Sequence, residues 1–301
     1  MDINLIIYLF IFKSSLMTIL GILLINAENR LPVLITRTFH YGKHAINIYH
    51  PLVVIIEVPK RWFKHFYMFA MPASTFSLVL IYYKYFMNGK IPEIIYRLLD
   101  ASLGKSRKAL ISPECGFLAL TLLTVHCWKR FYETHYVNVF SDKKIHISHY
   151  IVGYLHYAGT IIGIVGELHG FVRDSDKSID WHNLTFLQIV CANIFLLSSF
   201  VQLQSNFILA NLRKSNNKVV FDGYKVPHGG LFEYITSPLQ LTEILIYLSL
   251  SVILWQSNTF HYVTLWVIVN QVHCAIMEHK WYRQTFKNYP KKRRNLIPYL
   301  F

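Results

Sequence analysis

Apolar residues run along this chain in long stretches separated by short polar ones, and most stretches approach the roughly 20 residues that carry an α-helix across hydrocarbon. The pattern predicts spans at 3–25, 66–87, 113–128, 147–171, 184–211, 238–256 and 259–277. The expected fold class is therefore all-α: a multi-pass transmembrane helical bundle of about seven spans. Residues 1–301 read as one integral-membrane domain, because no polar stretch is long enough for a separate soluble one. The segment 26–65, with Pro32, Pro51, Pro59 and four histidines, reads as a re-entrant or interfacial stretch. The first run is too long for a signal-peptide core and lacks basic residues ahead of it, so it reads as a retained span.

Composition agrees with a bilayer as solvent. Hydrophobic residues make up 53% of the chain and charged ones 15%, whereas soluble domains carry about a quarter charged residues. The net charge of +14 reads first as topology, since Lys and Arg concentrate in cytoplasmic loops. A basic rim would also suit a ligand with several phosphates. The tail from Lys280 to Arg294 holds seven Lys or Arg and no acid, which puts the C-terminus in the cytosol and, with an odd number of spans, the N-terminus in the lumen. The loop with Asp174, Asp176 and Asp180 is then lumenal, as is the sequon Asn183-Leu184-Thr185. Segment 88–112 votes the other way, with five Lys or Arg on the lumenal side. The four cysteines lie in apolar stretches without CxxC spacing and read as packed thiols.

Polar residues on spanning helices are costly, so stripes of them are site candidates. Gln202, Asn206 and Arg213 share one helical face, as do His126, Arg130 and Glu133; Glu243 and Tyr247 lie four apart. All three stripes gather toward one leaflet. They suggest a cytosol-facing pocket for a polar, phosphorylated ligand, the other reading being hydrogen bonds between helices. Gly229-Gly230 would allow close backbone approach, or simply a turn. No GxGxxG follows a strand, which excludes a Rossmann site. His40 with His44 and His146 with His149 have metal-like spacings, but the chain has no His-His pair; no metal is expected, and the histidines read as interfacial.

Two blocks then narrow the reading: GYKVPHGGLFEYITSP from Gly223 to Pro238, and HKWYRQTFKNYPKKRRNLIPYLF from His279 to Phe301. In this order within 223–301 they resemble the C-terminal half of the steroid 5α-reductase family of NADPH-dependent membrane reductases. The terminal motif is carried by Phe286, Tyr289-Pro290, Lys291, Arg293 and Leu296-Ile297-Pro298 through Phe301. Glu57 through Phe63, His65-Phe66-Tyr67, Tyr136-Val137, Val139-Phe140-Ser141, Asn211 through Lys214 and Asn270-Gln271 are similar to the polyprenol (polyprenal) reductase branch.

The resemblance implies NADPH-dependent reduction of the α-isoprene double bond of a polyprenoid (polyprenal to dolichal, or polyprenol to dolichol). It implies an endoplasmic reticulum membrane enzyme that supplies dolichol for protein N-glycosylation. Its partners would be a long-chain polyisoprenoid and membrane lipids, with no nucleic acid or metal. By motif position it gives cofactor roles to Arg130, Asn206, Arg213, Tyr224, Glu243, His279, Tyr282 and Arg293, with Arg213 and Arg293 on phosphate, and leaves Glu57 as the catalytic acid. Two positions depart from the pattern. Leu239 stands where relatives have an amide or imidazole, with Gln240 next in line, and Cys127 stands where steroid reductases carry a tyrosine. Alternatives are a 3-oxo-5α-steroid 4-dehydrogenase or enoyl reductase of the same superfamily and, from another class, a non-catalytic transporter or assembly subunit.

Overall fold

The computed structural model describes residues 2–39, 55–215, 218–219 and 223–301. Its helices are α1 (Leu5–Asn26), α2 (Val33–Phe39), α3 (Lys64–Phe86), α4 (Glu93–Leu103), α5 (Pro113–Tyr132), α6 (Ile147–Val165), α7 (Phe186–Asn211), α8 (Pro238–Ile253) and α9 (Phe260–Thr285). Among the described residues, four helical stretches are long and apolar enough to cross a membrane: Leu5–Asn26, Lys60–Phe86, Phe186–Asn211 and Phe260–Thr285; Pro238–Ile253 is a shorter apolar helix. All seven segments marked by the sequence are helical. Much of the predicted interfacial stretch 26–65, including His40, His44 and Pro51, lies outside the described residues.

Local chemistry sets the helix starts. Asn4 caps α1 by accepting from the Ile7 N–H at 3.0 Å. Thr185 and Gln188 form a reciprocal capping box on α7. Pro113 and Pro238 sit at the first turns of α5 and α8, where a missing N–H costs no helical bond. The large apolar side chains of Phe12, Ile19, Val79, Leu197 and Phe200 point outward, as expected of helices bathed in lipid. Helix α7 packs along α8, α3 along α5, and α1 along α9. The core is continuous through Phe10, Ala70, Leu120, Ile164, Phe195, Tyr247 and Phe260. Gly159 lets α1 approach α6: a Cβ there would meet Phe10 at 2.7 Å.

Contacts at one end show that these helices alternate in direction. The start of α1 meets the start of α9 through Asn4 Nδ2, which donates to Thr259 Oγ1 at 2.9 Å. Glu167, buried just past α6, accepts from Ser257 Oγ and Thr259 Oγ1, both at 2.6 Å. Its carbonyl receives the Leu110 and Ile111 N–H groups ahead of α5. Gln188 at the start of α7 donates to the Ile253 carbonyl at the end of α8. Tyr85 near the end of α3 donates to the His169 carbonyl. Helices α1, α5, α7 and α9 therefore begin where α3, α6 and α8 finish.

Two features depart from the sequence reading. The fold is helical but not purely so: β1 (Glu57–Pro59) pairs antiparallel with β2 (Lys144–His146), and β3 (Lys214–Ser215) with β4 (Lys218–Val219). Segment 88–112 contains α4, whose acids Asp100 and Glu93 hold Arg107 and Arg173. Arg107 binds Asp100 at 2.8 Å, and Arg173 reaches Asp100 at 2.5 Å and Glu93 at 2.7 Å. Partial burial opposes ionisation of Asp100, but the bonds from Arg173 and Arg107 outweigh it and hold its carboxyl below the usual range. Arg107, one of the five basic residues of this segment, is thus spent on tying the helix end down rather than on sidedness.

Candidate functional site

The opposite end of the bundle gathers most of the polar side chains singled out above. On α5, His126, Lys129, Arg130 and Glu133 fall three or four residues apart, which places them on one face. The helix then widens into a π-helical turn over Glu133–Val137, a distortion frequent at functional positions. Arg130 Nη1 binds Glu133 Oε2 at 2.5 Å, and Arg130 Nε donates to the Tyr67 hydroxyl of α3 at 3.0 Å. Lys129 Nζ donates to Gln202 Oε1 of α7 at 2.5 Å. Gln202 Nε2 donates to Glu243 Oε2 of α8 at 2.6 Å, and His126 Nε2 lies 3.9 Å from Glu243 Oε1. One connected path of cations, carboxylates and an amide thus joins α3, α5, α7 and α8.

One turn beyond Gln202, Asn206 is buried with its Nδ2 lacking a hydrogen-bond partner. Arg213, just past the end of α7, donates to the Val139 carbonyl. The tail supplies a second group. Arg293 is 3% exposed; its Nη1 donates to the Pro227 carbonyl at 3.1 Å, while Nε and Nη2 have no hydrogen-bond partner. Its guanidinium lies 5.3 Å from the Tyr289 ring. Tyr282 stacks on Tyr289 at 5.5 Å. Tyr224 packs on Trp281, which packs on Tyr282, each pair at 5.0 Å. His279 shares the Thr236 hydroxyl with Tyr289, at 2.6 and 2.7 Å.

Backbone pairing brings the tail to this place. Ile235 bridges Arg294, and the Thr236 and Ser237 N–H groups bond the Arg294 and Asn295 carbonyls at 2.8 and 3.1 Å. The two sequence blocks are therefore stitched to each other directly. Gly229 (φ 95°) and Gly230 (φ 53°) adopt the left-handed conformation that favours glycine. Gly229 N donates to Glu233 Oε1 at 2.5 Å; this bond, reinforced by His228, holds the Glu233 carboxyl below its ordinary value.

Two sets of residues emerge. Arg130 and Glu243 belong to the inner network, with Asn206 on the next turn of α7. Arg213, Tyr224, His279, Tyr282 and Arg293 belong to the outer aromatic and guanidinium group. Glu57 lies on β1, half-buried and opposite His146 at the same end of the bundle. Leu239 and Gln240 occupy the first turn of α8 and are both half-buried. Sequence reasoning assigned no role to Lys129, Tyr67, Thr236 and Tyr289. Several of these lie inside motifs already quoted, so their buried hydroxyls and charge were the available signal. Among the described residues, no group of three His, Cys, Asp or Glu could hold a metal ion. His146 bonds Ser148, and His149 bonds the Thr38 carbonyl.

Unpartnered donors on Asn206 and on Arg293, the latter beside stacked aromatic rings, fit a ligand with phosphates and flat heterocycles. Comparison with known proteins agrees with that chemistry. Residues 142–301 match the family model described as 3-oxo-5-alpha-steroid 4-dehydrogenase. The chain is 38% identical to a polyprenal reductase of Drosophila melanogaster, over 93% of this chain and 88% of that one. It is 34% identical to a polyprenal reductase of Caenorhabditis elegans (86% and 85% covered) and 31% identical to that of Homo sapiens (81% and 78% covered).

Proposed function

Because this chain belongs to the 3-oxo-5-alpha-steroid 4-dehydrogenase family and aligns over most of its length with polyprenal reductases, we propose that it reduces the α-isoprene double bond of a polyprenal, with NADPH as the nicotinamide cofactor. It is an oxidoreductase acting on a CH–CH group. The carrying observation is the stack of Tyr282 on Tyr289 with the Arg293 guanidinium over the Tyr289 ring, at the same end of the bundle as the Lys129–Gln202–Glu243 path, with Asn206 and Arg293 retaining unpartnered donors.

Hydride adds readily to an alkene only when the alkene is polarised, so the aldehyde is a competent acceptor and the bare allylic alcohol a poor one. When bound, NADPH supplies that hydride. Arg293 and Arg213 would hold its phosphates, because a fork of N–H donors suits phosphate oxygens. Asn206 and Glu243 would orient the ribose or the nicotinamide amide, while Tyr224, His279 and Tyr282 would form the aromatic wall. Arg130 fixes the network by binding Tyr67 and Glu133 at once. As negative charge develops on the aldehyde oxygen, a protein donor must meet it, and Glu57 is the residue we assign to that role.

We place the enzyme in the endoplasmic reticulum membrane with seven spans, its N-terminus lumenal and its site open to the cytosol. Alternation of the seven helices supports this, as does the basic tail at the end opposite Asp174 and Asp176. A polyisoprenoid chain is longer than the bilayer is thick, so only its head would enter the bundle. Purified protein given NADPH with polyprenal, a 3-oxo-Δ4 steroid or an enoyl thioester tests the reading. Gain of two hydrogens by polyprenal alone supports it, and reduction of the steroid or thioester instead overturns it.

A further inference from the structure

The end of the bundle away from the candidate site holds a cavity of about 310 Å³, within the size range of small-ligand sites, which begins at about 300 Å³. It lies where α5 and α7 begin and α8 ends, with Lys177 and Asn183 contributed by the segment between α6 and α7. Glu114, in the first turn of α5, lines this cavity. It is 1% exposed, and its Oε2 has no hydrogen-bond partner. Lys177, Asn183, Trp255 and Gln256, all exposed, form the rim.

A carboxylate shut away from water is costly unless a donor meets it. The start of α5 favours negative charge at Glu114, yet no protein group gives Oε2 a hydrogen. Gln188, the buried amide in the same wall, is already engaged. Its Nε2 donates to Cys115 Sγ and to the Ile253 carbonyl, both at 3.2 Å, and its Oε1 accepts from the Thr185 N–H at 2.9 Å. The cations nearby on other elements are committed too: Arg107 and Arg173 to Asp100, and Lys84 to Asp176. The cavity therefore presents a negative, hydrogen-accepting interior and a positive, hydrogen-donating rim.

We propose that this cavity binds a phosphoethanolamine group, its ammonium on Glu114 and its phosphate under Lys177, Asn183 and Gln256. A primary ammonium carries three N–H donors, one of which satisfies Oε2. A quaternary ammonium carries none and is held by aromatic cages, whereas Trp255 is the single aromatic side chain lining the cavity. A metal ion would lack ligands, since no group of three His, Cys, Asp or Glu that could hold one exists among the described residues. At the rim, a lysine ammonium and two carboxamides donate to phosphate oxygens. The lipid form of the group suits the surroundings. Phe186 and Leu187, next along α7 from the rim, are 82% and 60% exposed and offer a bed for acyl chains, and an exposed tryptophan such as Trp255 is at home at the membrane interface. This site lies apart from the reductase centre, and its test does not depend on the polyprenal reading.

The test uses the full-length chain, freed of lipid in a maltoside detergent, and follows its melting as each probe is titrated. The probes are dihexanoyl phosphatidylethanolamine, dihexanoyl phosphatidylcholine and free phosphoethanolamine. Wild type is expected to show a saturable rise in melting temperature with the ethanolamine lipid. The choline lipid should bind about tenfold more weakly, the loss of one hydrogen bond to a charged group. Glu114→Gln, free of an unmatched buried charge, melts no lower than wild type without lipid, and its preference for ethanolamine over choline falls to within about twofold. Lys177→Gln, on the exposed rim, weakens both lipids alike and keeps the preference. Free phosphoethanolamine that binds at least about tenfold more weakly than the lipid marks the lipid as the source, and equal binding marks the soluble group at the same site. Equal binding of the two lipids by wild type, an undiminished preference in Glu114→Gln, or no saturable shift with any of the three probes overturns the proposal.

Discussion

Substituting Arg293 probes the cofactor grip with little risk to the fold. Its guanidinium bears five N–H donors; Nη1 is used on the Pro227 carbonyl, while Nε and Nη2 are unpartnered, the latter 4.0 Å from Glu233. Two hydrogen bonds from these nitrogens to phosphate, at about 1.5 kcal/mol each on the low side for a charged partner, amount to about 3 kcal/mol. That is roughly 100-fold in Kd, at about 1.4 kcal/mol per tenfold. Arg293→Met keeps the packed stem against Tyr289 and should show the full loss. Arg293→Lys keeps the charge but cannot serve Pro227 and a phosphate together, and should lose roughly tenfold. The assay is a titration of purified protein followed by NADPH fluorescence, repeated at raised salt, with thermal melting as the control. An Arg293→Met protein whose melting is unchanged and whose NADPH Kd stays within about twofold, against a predicted hundredfold, would refute the reasoning.

Glu57→Gln should lower turnover far more than NADPH affinity, and unchanged kcat would remove Glu57 from the chemistry. Glu167→Ala removes the acceptor of the Ser257 and Thr259 hydroxyls at a buried junction; two lost bonds to a charged group should cost about 3 kcal/mol, read as a lowered Tm in detergent, and a Tm within error of wild type contradicts the assigned role. The Asp100 carboxyl is depressed below its ordinary 3.8. Its stabilisation of the α4 clamp is therefore complete above that value and fades as pH falls through the lower folded value; Asp100→Asn should abolish this acid-sensitive component of hydrogen exchange in 93–110, and persistence of the component would show that it arises elsewhere.

The helices were legible because the bilayer demands long apolar runs, and the stripes because helical spacing fixes which residues share a face. His126, Arg130 and Glu133 read correctly as neighbours for that reason. Their partners did not, since Tyr67 reaches Arg130 from 63 positions away and only packing brings the two together. Helix α4 was hidden because its charges looked like loop content, yet Asp100 and Glu93 pair with Arg107 and Arg173 across the fold. The two blocks near the C-terminus were visible as motifs; that they form one wall, through Ile235 and Arg294, required the backbone.

The most direct test of the central claim is a single incubation of the purified chain with NADPH carrying deuterium at the transferable position and polyprenal, followed by mass spectrometry and NMR of the lipid. The account predicts dolichal with one deuterium on the former β-carbon, formed in step with NADPH oxidation. Intact polyprenal beside oxidised cofactor, or deuterium on the aldehyde carbon with the double bond retained, would contradict it.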